Sequence, residues 1–336
     1  MRSSNSLLEV IGIPNLTIMK YPIETTHGHT VSELEALLED SCDIFDDFVV
    51  LERRSMGGWT NINIRGNSSD FEFVLKLPWS NIHYKTNPYT QLYKLGVQYA
   101  RLNIAPHPIE MGRLRDSTST PYLLIEYVEG TTLSSIMDAS SDQLLSLKES
   151  LRILRSENPE GIPRFRSPAE YLVAIHNKVE SNPQLLDASP EVQSIIDKYT
   201  PLFNQAEGRI EIMGYWNGDV MHGDLWIPNI LFRPGQEALL LDFDACAYGD
   251  SRYDLSYLIE GKQLAQVPQL IDETAINYVS SLRPLVLSCL IDWCIDRLLC
   301  MEAGIVEPNL NTPEIRNNVL SYTNSMIERL KELLPT

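Results

Sequence analysis

Between Met221 and Asp244 the chain places two short apolar pieces, Ile230 to Phe232 and Ala238 to Leu241, on either side of Arg233-Pro234-Gly235. That pattern predicts a β-hairpin with a short loop. The hairpin is rimmed by polar groups: His222-Gly223-Asp224-Leu225-Trp226-Ile227-Pro228-Asn229 precedes it and Asp242-Phe243-Asp244 follows. Asp224 falls in a tight turn, Asn229 at the start of the first strand and Asp242 at the end of the second. A hairpin brings its two ends together, so two carboxylates and one amide converge. Such oxygen donors suit Mg²⁺, which takes few protein ligands and shares itself with substrate phosphates. A carboxylate left off the metal can orient a hydroxyl and accept its proton. Each aspartate alone reads equally well as a turn former; the joint spacing of H-G-D-x4-N and D-x-D points to chemistry. His222 reads as a structural hydrogen-bonder, and Trp226 and Pro228 as residues that shape the loop.

The texture of the chain changes along its length. Thr30 and Glu33 form a capping-box pattern opening a helix over Val31 to Glu39. Phe48 to Leu51 reads as a strand, Met56-Gly57-Gly58 as a turn, and Ile62 with Ile64 as a second strand. Gly66 to Ser69 is a loop signal. In Phe71 to Leu77, residues Phe71, Phe73, Leu75 and Leu77 share one face, and Glu72, Val74 and Lys76 share the other. These make an antiparallel meander. A helix over Tyr89 to Leu102, a break at Ala105 to Pro108 and a strand over Tyr122 to Val128 follow. Beyond Gly130, helices are expected over Asp142 to Arg155, Pro168 to Glu180 and Pro190 to Gln205, and again from Tyr253 onward, ending in an amphipathic helix over Pro313 to Leu334. The reading is an α+β chain of two lobes: residues 1–129, a small β-rich lobe, and residues 130–336, a larger helical lobe, with the joint near Glu129-Gly130.

With 336 residues the chain is long enough to bury a large core without staples. A net charge of −18 argues against sequence-independent nucleic-acid binding and against docking on anionic lipid, and tilts a ligand towards positive charge. Five cysteines without a CxxC pair read as buried thiols in a reducing compartment. Met1 to Leu16 lacks the pattern of a secretory signal, and the most apolar stretch, Leu285 to Ile291, is far shorter than the ~20 residues of a membrane span. A cytoplasmic location is expected.

The segment from His222 to Asp244 resembles the catalytic loop and metal-binding strand of the aminoglycoside phosphotransferase and choline kinase-like families, which share the protein-kinase-like fold. Tyr248-Gly249-Asp250 and Asp254-Leu255 extend the likeness, which covers about Phe48 to Leu258. The resemblance implies a bilobal kinase-like fold and ATP (or GTP) with Mg²⁺ as cofactors. It implies that Asp224 is the catalytic base, that Asn229 and Asp242 hold Mg²⁺, and that Asp244 supports the metal site. Lys76 would reach the α- and β-phosphates, with Val74 covering the adenine ring. Gly57 and Gly58, followed by Thr60-Asn61, would form the loop over the phosphates, where glycines allow close backbone approach. The Glu126 carbonyl and the Val128 N–H would pair with the adenine edge, with Ile125 behind it. One departure stands out: the family's helix glutamate that pairs with the strand lysine has no counterpart in Tyr89 to Leu95, leaving Gln91, Tyr93, Glu52 or Glu72 to meet Lys76.

For the acceptor, Asp292 and Asp296 lie four apart on one helix face with Trp293 beside them, an arrangement suited to an amine through charge and cation–π contact. An exposed acidic stripe with a core tryptophan explains the same pattern. Asp250 and Glu260 are further candidates, and His27-x-His29 has no acidic partner nearby in sequence. The sequence thus predicts an ATP- and Mg²⁺-dependent phosphotransferase acting on a hydroxyl of a small molecule: an aminoglycoside, choline or ethanolamine, a sugar or an amino-acid alcohol. The rivals are a nucleotide-binding regulator without transfer and a protein-directed kinase. The latter is disfavoured because Asp242 is followed closely by Asp250 and Asp254, with no Ala-Pro-Glu segment.

Overall fold

The computed structural model describes residues 23–42, 47–51, 61–69, 71–80, 84–235, 237–259, 269–271 and 273–334. A two-stranded hairpin, β1 (Thr25–Thr26) and β2 (His29–Thr30), leads into α1 (Val31–Ser41). The capping box forms as expected: Thr30 accepts from the Glu33 N–H and Glu33 accepts from the Thr30 N–H. Helix α1 buries Val31, Leu34 and Leu38, one face at helical spacing.

Strands β3 (Val49–Val50), β4 (Asn61–Asn67) and β5 (Glu72–Pro78) form the meander. Phe73, Leu75 and Leu77 are buried on one face of β5, each contributing roughly 2 kcal/mol by leaving water. Helix α2 (Thr90–Ala100) follows, then β6 (Pro108–Arg113) and β7 (Pro121–Glu126). The five strands pair antiparallel in the order β3-β4-β5-β7-β6. Strand β6 was not expected, because Ala105 to Pro108 reads as a break. Its place at the sheet edge explains the tolerance, since an edge proline removes no interior ladder bond, and a bulge falls between Pro108 and Glu110.

The rest of the chain is mainly helical: α3 (Ser141–Ser156), α4 (Pro168–Glu180) and α5 (Pro190–Glu211). Serine caps open all three, with proline at the start of α4 and α5. Helix α5 runs past the expected end and through Pro201. Next come β8 (Asp219–Met221), β9 (Ile230–Phe232), β10 (Ala238–Leu240) and β11 (Ala247–Gly249), followed by α6 (Arg252–Leu258), α7 (Ile276–Ser281), α8 (Arg283–Glu302) and α9 (Pro313–Leu333). The expected hairpin is β9–β10. Pair β8–β11 was not foreseen. Helix α8 is buried nearly all round, and α9 packs against it with Ile315, Val319, Met326 and Leu330. Among the described residues no helix is long and apolar enough to cross a membrane.

The chain passes from sheet to helices at Gly130. A Cβ there would meet the Phe232 carbonyl oxygen at 2.7 Å, and next to it Thr131 and Phe232 exchange both backbone hydrogen bonds at 2.9 Å. The absence of a side chain lets the crossing strand dock directly on β9. A second core cluster joins α2, Leu123 of β7, α3 and the β8–β11 region, including Leu225, Ile230 and Phe243.

Candidate active site

The antiparallel pairing of β8 with β11, Met221 opposite Ala247, places the turn at His222–Asp224 beside Asp242–Ala245. Gly223 has φ +82°, and a Cβ on it would lie 2.2 Å from the Ala245 carbonyl oxygen, so only glycine fits this turn. The backbone N–H groups of His222 and Gly223 donate to the two carboxylate oxygens of Asp254 at 2.8 and 2.9 Å. Asp254 is fully buried, and burial pushes its carboxyl up to about 6 although those N–H groups favour the ionised form. His222 is also fully buried; burial brings its imidazole down to about 4. The neutral ring therefore donates from Nε2 to the Leu241 carbonyl at 2.9 Å, and it rests 5.0 Å from the Phe243 ring. It fastens the two halves of the site as a structural residue would.

Asn229 Nδ2 donates to the Asp224 carbonyl and to Asp224 Oδ2, both at 2.9 Å, and the Asn229 carbonyl accepts from the Leu241 N–H at 2.8 Å. Asp224, Asn229 and the end of β10 thus form one unit. Lys76, only 5% exposed, reaches across from β5 and donates to Asp242 Oδ1 at 3.0 Å. It is not a solvated strand lysine. Asp242 itself stands in the left-handed region with φ +63°. Burial works to raise the Asp242 carboxyl, but the Lys76 ammonium outweighs it and holds the group below the ordinary carboxylate range. Asp224 and Asp244 are each pushed up to about 7, first by burial and then by the Asp242 charge. One ammonium therefore stands among three carboxyl groups crowded at the end of β10, an arrangement that attracts further positive charge.

Of the remaining expected residues, Gly57, Gly58, Thr60 and Glu52 lie outside the described residues, as does Glu260. Asn61 opens β4, is buried, and accepts from the Tyr89 hydroxyl at 3.0 Å; it also lies beside Asp244 and favours its charged form. Val74 is half-buried on the Lys76 side of β5. Glu126 ends β7, where its N–H donates to the His107 carbonyl at 2.8 Å, and Val128 follows in extended chain. Gln91 donates to the Glu160 carbonyl and Glu72 pairs with Arg65, so both have partners other than Lys76.

The acceptor candidates are engaged inside the helical part. Asp250 is fully buried and takes the Arg252 guanidinium, whose Nε lies 2.8 Å away and whose plane covers the Tyr278 ring. Asp292 is fully buried and bonded to His176 Nδ1 at 2.8 Å; the His176 ring stacks on Phe203 at 3.8 Å. Asp296 accepts from Asn182 Nδ2 at 2.8 Å, and Trp293 packs half-buried against the core. The acidic partners of His27 and His29 come from distant chain: the His27 N–H donates to Glu307, and His29 Nε2 lies 3.1 Å from Asp116 Oδ2. Asp254 and Tyr89 were not assigned roles from sequence. Asp254 had a signal, its place in Asp254-Leu255, but its bonds to a turn about 30 residues earlier have no local signature.

The profile of the phosphotransferase enzyme family matches residues 56–284. No curated protein sequence matches. Among solved structures, the choline kinase LicA from Streptococcus pneumoniae is similar at 15% identity and TM-score 0.61, covering 89% of this chain and 98% of that one. Spectinomycin phosphotransferase, solved with ADP and spectinomycin, is similar at 11% identity and TM-score 0.58, covering 89% and 97%. The GDP complex of aminoglycoside 2′-phosphotransferase-IIIa is similar at 16% identity and TM-score 0.57, covering 89% and 99%. These likenesses show the fold, the α+β protein-kinase-like fold expected from the sequence.

Proposed function

Because the chain belongs to the phosphotransferase enzyme family, we propose that it transfers the terminal phosphoryl group of ATP or GTP to a hydroxyl of a small molecule, with Asp224 as the base. The observation that carries this reading is the contact between Lys76 and Asp242, 166 residues apart in the chain and 3.0 Å apart in the fold, beside Asp224 and Asn229. A cation that meets phosphate, a carboxylate that meets a metal and a carboxylate that meets a hydroxyl are what phosphoryl transfer requires, since its catalysis is chiefly positioning and charge stabilisation.

The donor set suits Mg²⁺. Among the described residues no group of three or more His, Cys, Asp or Glu is arranged to hold a metal alone, and Mg²⁺ in phosphoryl transfer leans on one or two protein ligands plus phosphates. Asn229 spends its amide nitrogen on Asp224, which leaves its amide oxygen for the ion. Asp242, kept ionised by Lys76, supplies the carboxylate. When bound, Mg²⁺ would neutralise charge developing on the phosphates. The chain's own residues do the rest. Lys76 passes from Asp242 to the phosphates as nucleotide enters. Asp224, raised towards neutrality by burial and fixed by Asn229, holds the acceptor hydroxyl and takes its proton. The neutral His222 and the Asp254 carboxylate keep the turn in place.

The same proposal divides the chain at Glu129–Gly130, with the nucleotide held between residues 1–129 and 130–336; the close docking of Gly130 on β9 supports that joint. Val74 and the backbone of Glu126 and Val128 would meet the base, and Gly57, Gly58 and Thr60 the phosphates. A net charge of −18 favours a cationic acceptor by attraction at a distance. A cytoplasmic location fits the cysteines, all five of which are buried, with no disulfide among the described residues.

A thermal-shift titration with ATP and with GTP, each with and without Mg²⁺, tests the reading. Nucleotide at ~100 times its Kd should add about 2.7 kcal/mol of stability, and the Mg²⁺-dependent part should vanish in Asp242→Ala. No shift with either nucleotide would sink the reading and point to chemistry without nucleotides, whereas a shift without any transfer would favour the nucleotide-binding regulator.

A further inference from the structure

Helix α2 carries no acid with which to aim the strand lysine. Lys76 binds Asp242 instead, so its direction depends on how firmly Asp242 is held. Asp242 is a non-glycine residue at φ +63°, a conformation that persists only where the surroundings enforce it. The enforcing contacts run back to α2. Asp242 and Asp244 stand close enough that each shifts the other's ionisation, and Asn61 lies beside Asp244 and favours its charged form. The Tyr89 hydroxyl, at the N-terminal cap of α2, donates to Asn61 Oδ1 at 3.0 Å. That bond fixes the amide: its oxygen faces the phenol, and its NH₂ is left to face the Asp244 carboxylate. Tyr89 is 2% exposed and Asn61 5%, so neither group has water as a ready substitute. Near the other end of the same helix, the Tyr99 ring packs against Phe243 at 4.8 Å. Helix α2 therefore touches the turn Asp242-Phe243-Asp244 through two routes, one polar and one apolar.

We propose that Tyr89 and Asn61 are positioning residues which, acting through Asp244, hold the Asp242 carboxylate and with it Lys76 at the nucleotide–metal site, in the place of a helix acid. The inference rests on the phosphotransferase reading and goes beyond it, because Asn61 then serves the metal-side carboxylates rather than the phosphates directly.

Calorimetric titration with ADP, in Mg²⁺ and in EDTA, tests it without requiring turnover or an identified acceptor. In the wild type the ratio of the two affinities measures how well the metal side is organised. Removing one hydroxyl in Tyr89→Phe should lower that ratio about 5-fold, and Asn61→Asp, which replaces a donor by a like charge, about 20-fold or more, with the smaller loss of affinity in EDTA reflecting Lys76 alone. Tyr89→Phe combined with Asn61→Ala should resemble Asn61→Ala alone, because the two act in series. Tyr122→Phe is the control: it removes another buried phenol bond, 2.7 Å to Glu110 Oε1, and should lower the melting temperature without moving the ratio. Should Asn61→Asp not fold, the single-hydroxyl change at Tyr89 decides. A wild-type ratio in Tyr89→Phe overturns the proposal, and so does an equal loss of affinity in Mg²⁺ and EDTA, which marks a purely structural role. A wild type that binds ADP under neither condition overturns the phosphotransferase reading itself, and this inference with it.

Discussion

Asp242, half-buried, and Asp292, fully buried, are each gripped by one basic side chain, and their circumstances are opposite. Asp292, in α8, meets His176 of α4 at 2.8 Å, and the imidazole is in turn stacked on Phe203. One buried acid faces one base inside packed helices, with Glu180 3.7 Å from the other ring nitrogen. Asp242 shares Lys76 with a crowd: Asp224 and Asp244 are close enough that its charge helps push both up to about 7. The first site has a base of its own inside the helices; the second is short of positive charge and can be completed by a cation. Burial of an acid therefore does not mark a functional site by itself. The discriminating feature is whether the fold supplies enough counter-charge.

That contrast is open to attack from both sides. His176→Ala should be the most damaging change to stability, because it strands the buried Asp292 carboxylate; a loss of about 3 kcal/mol is expected in denaturant titration. The folded fraction should keep the wild-type acceptor KM, and adding Asp292→Asn should restore part of the loss. A raised acceptor KM with little loss of stability would instead bring Asp292 back to the acceptor site, where its spacing with Asp296 first suggested it belonged. On the other side, Asp224→Asn keeps shape and removes the base. Turnover should fall at least ~100-fold while nucleotide affinity shifts by less than about 2-fold. Unchanged turnover would sink the mechanism. Gly223→Ala comes next. With φ +82° and a Cβ 2.2 Å from the Ala245 oxygen, it should cost about 2 kcal/mol of stability and displace Asp224, so stability and turnover fall together. A variant that lost turnover alone would mean that the turn yields without unfolding.

How much of this was legible in the sequence depended on the range of the interaction. Local signals were read correctly where the relevant residues lie within a few positions. The Thr30–Glu33 box opens α1, the Arg233-Pro234-Gly235 loop closes β9–β10, and α4 spans Pro168–Glu180 as its serine and proline imply. The residues of the His222–Asp224 turn were visible as a motif, but what holds the turn was not. Strands β8 and β11 are three residues each, too short for a period-2 pattern, and they pair across an intervening hairpin. Asp254 acts on a turn about 30 residues away, and Lys76 meets Asp242 across 166. Candidate acids on α8 shared a helix face as predicted, yet the spacing did not reveal that His176 and Asn182 would fill that face. Periodicity reports which residues lie together on one element; it carries no information on which element covers them.

The smallest expected effect is a pH dependence that follows from the His176–Asp292 pair. Burial alone would lower the His176 pKa, but the hydrogen bond and charge of Asp292, with Glu180 and Glu207 nearby, outweigh it and raise the group above its ordinary 6.5. The folded state thus keeps a proton that the unfolded chain has already released. Stability from this pair is fully present below about 6.5 and declines as pH rises through the folded pKa. The melting temperature of the nucleotide-free protein should therefore drop between pH 6 and pH 8.5, and His176→Gln should remove that component of the slope while lowering stability at pH 6. A slope unchanged in His176→Gln would transfer the effect to another group. The two regions stay distinct, because in the helices one imidazole titrates among acids, whereas the carboxyl groups around Lys76 titrate against one another and respond to any cation that joins them.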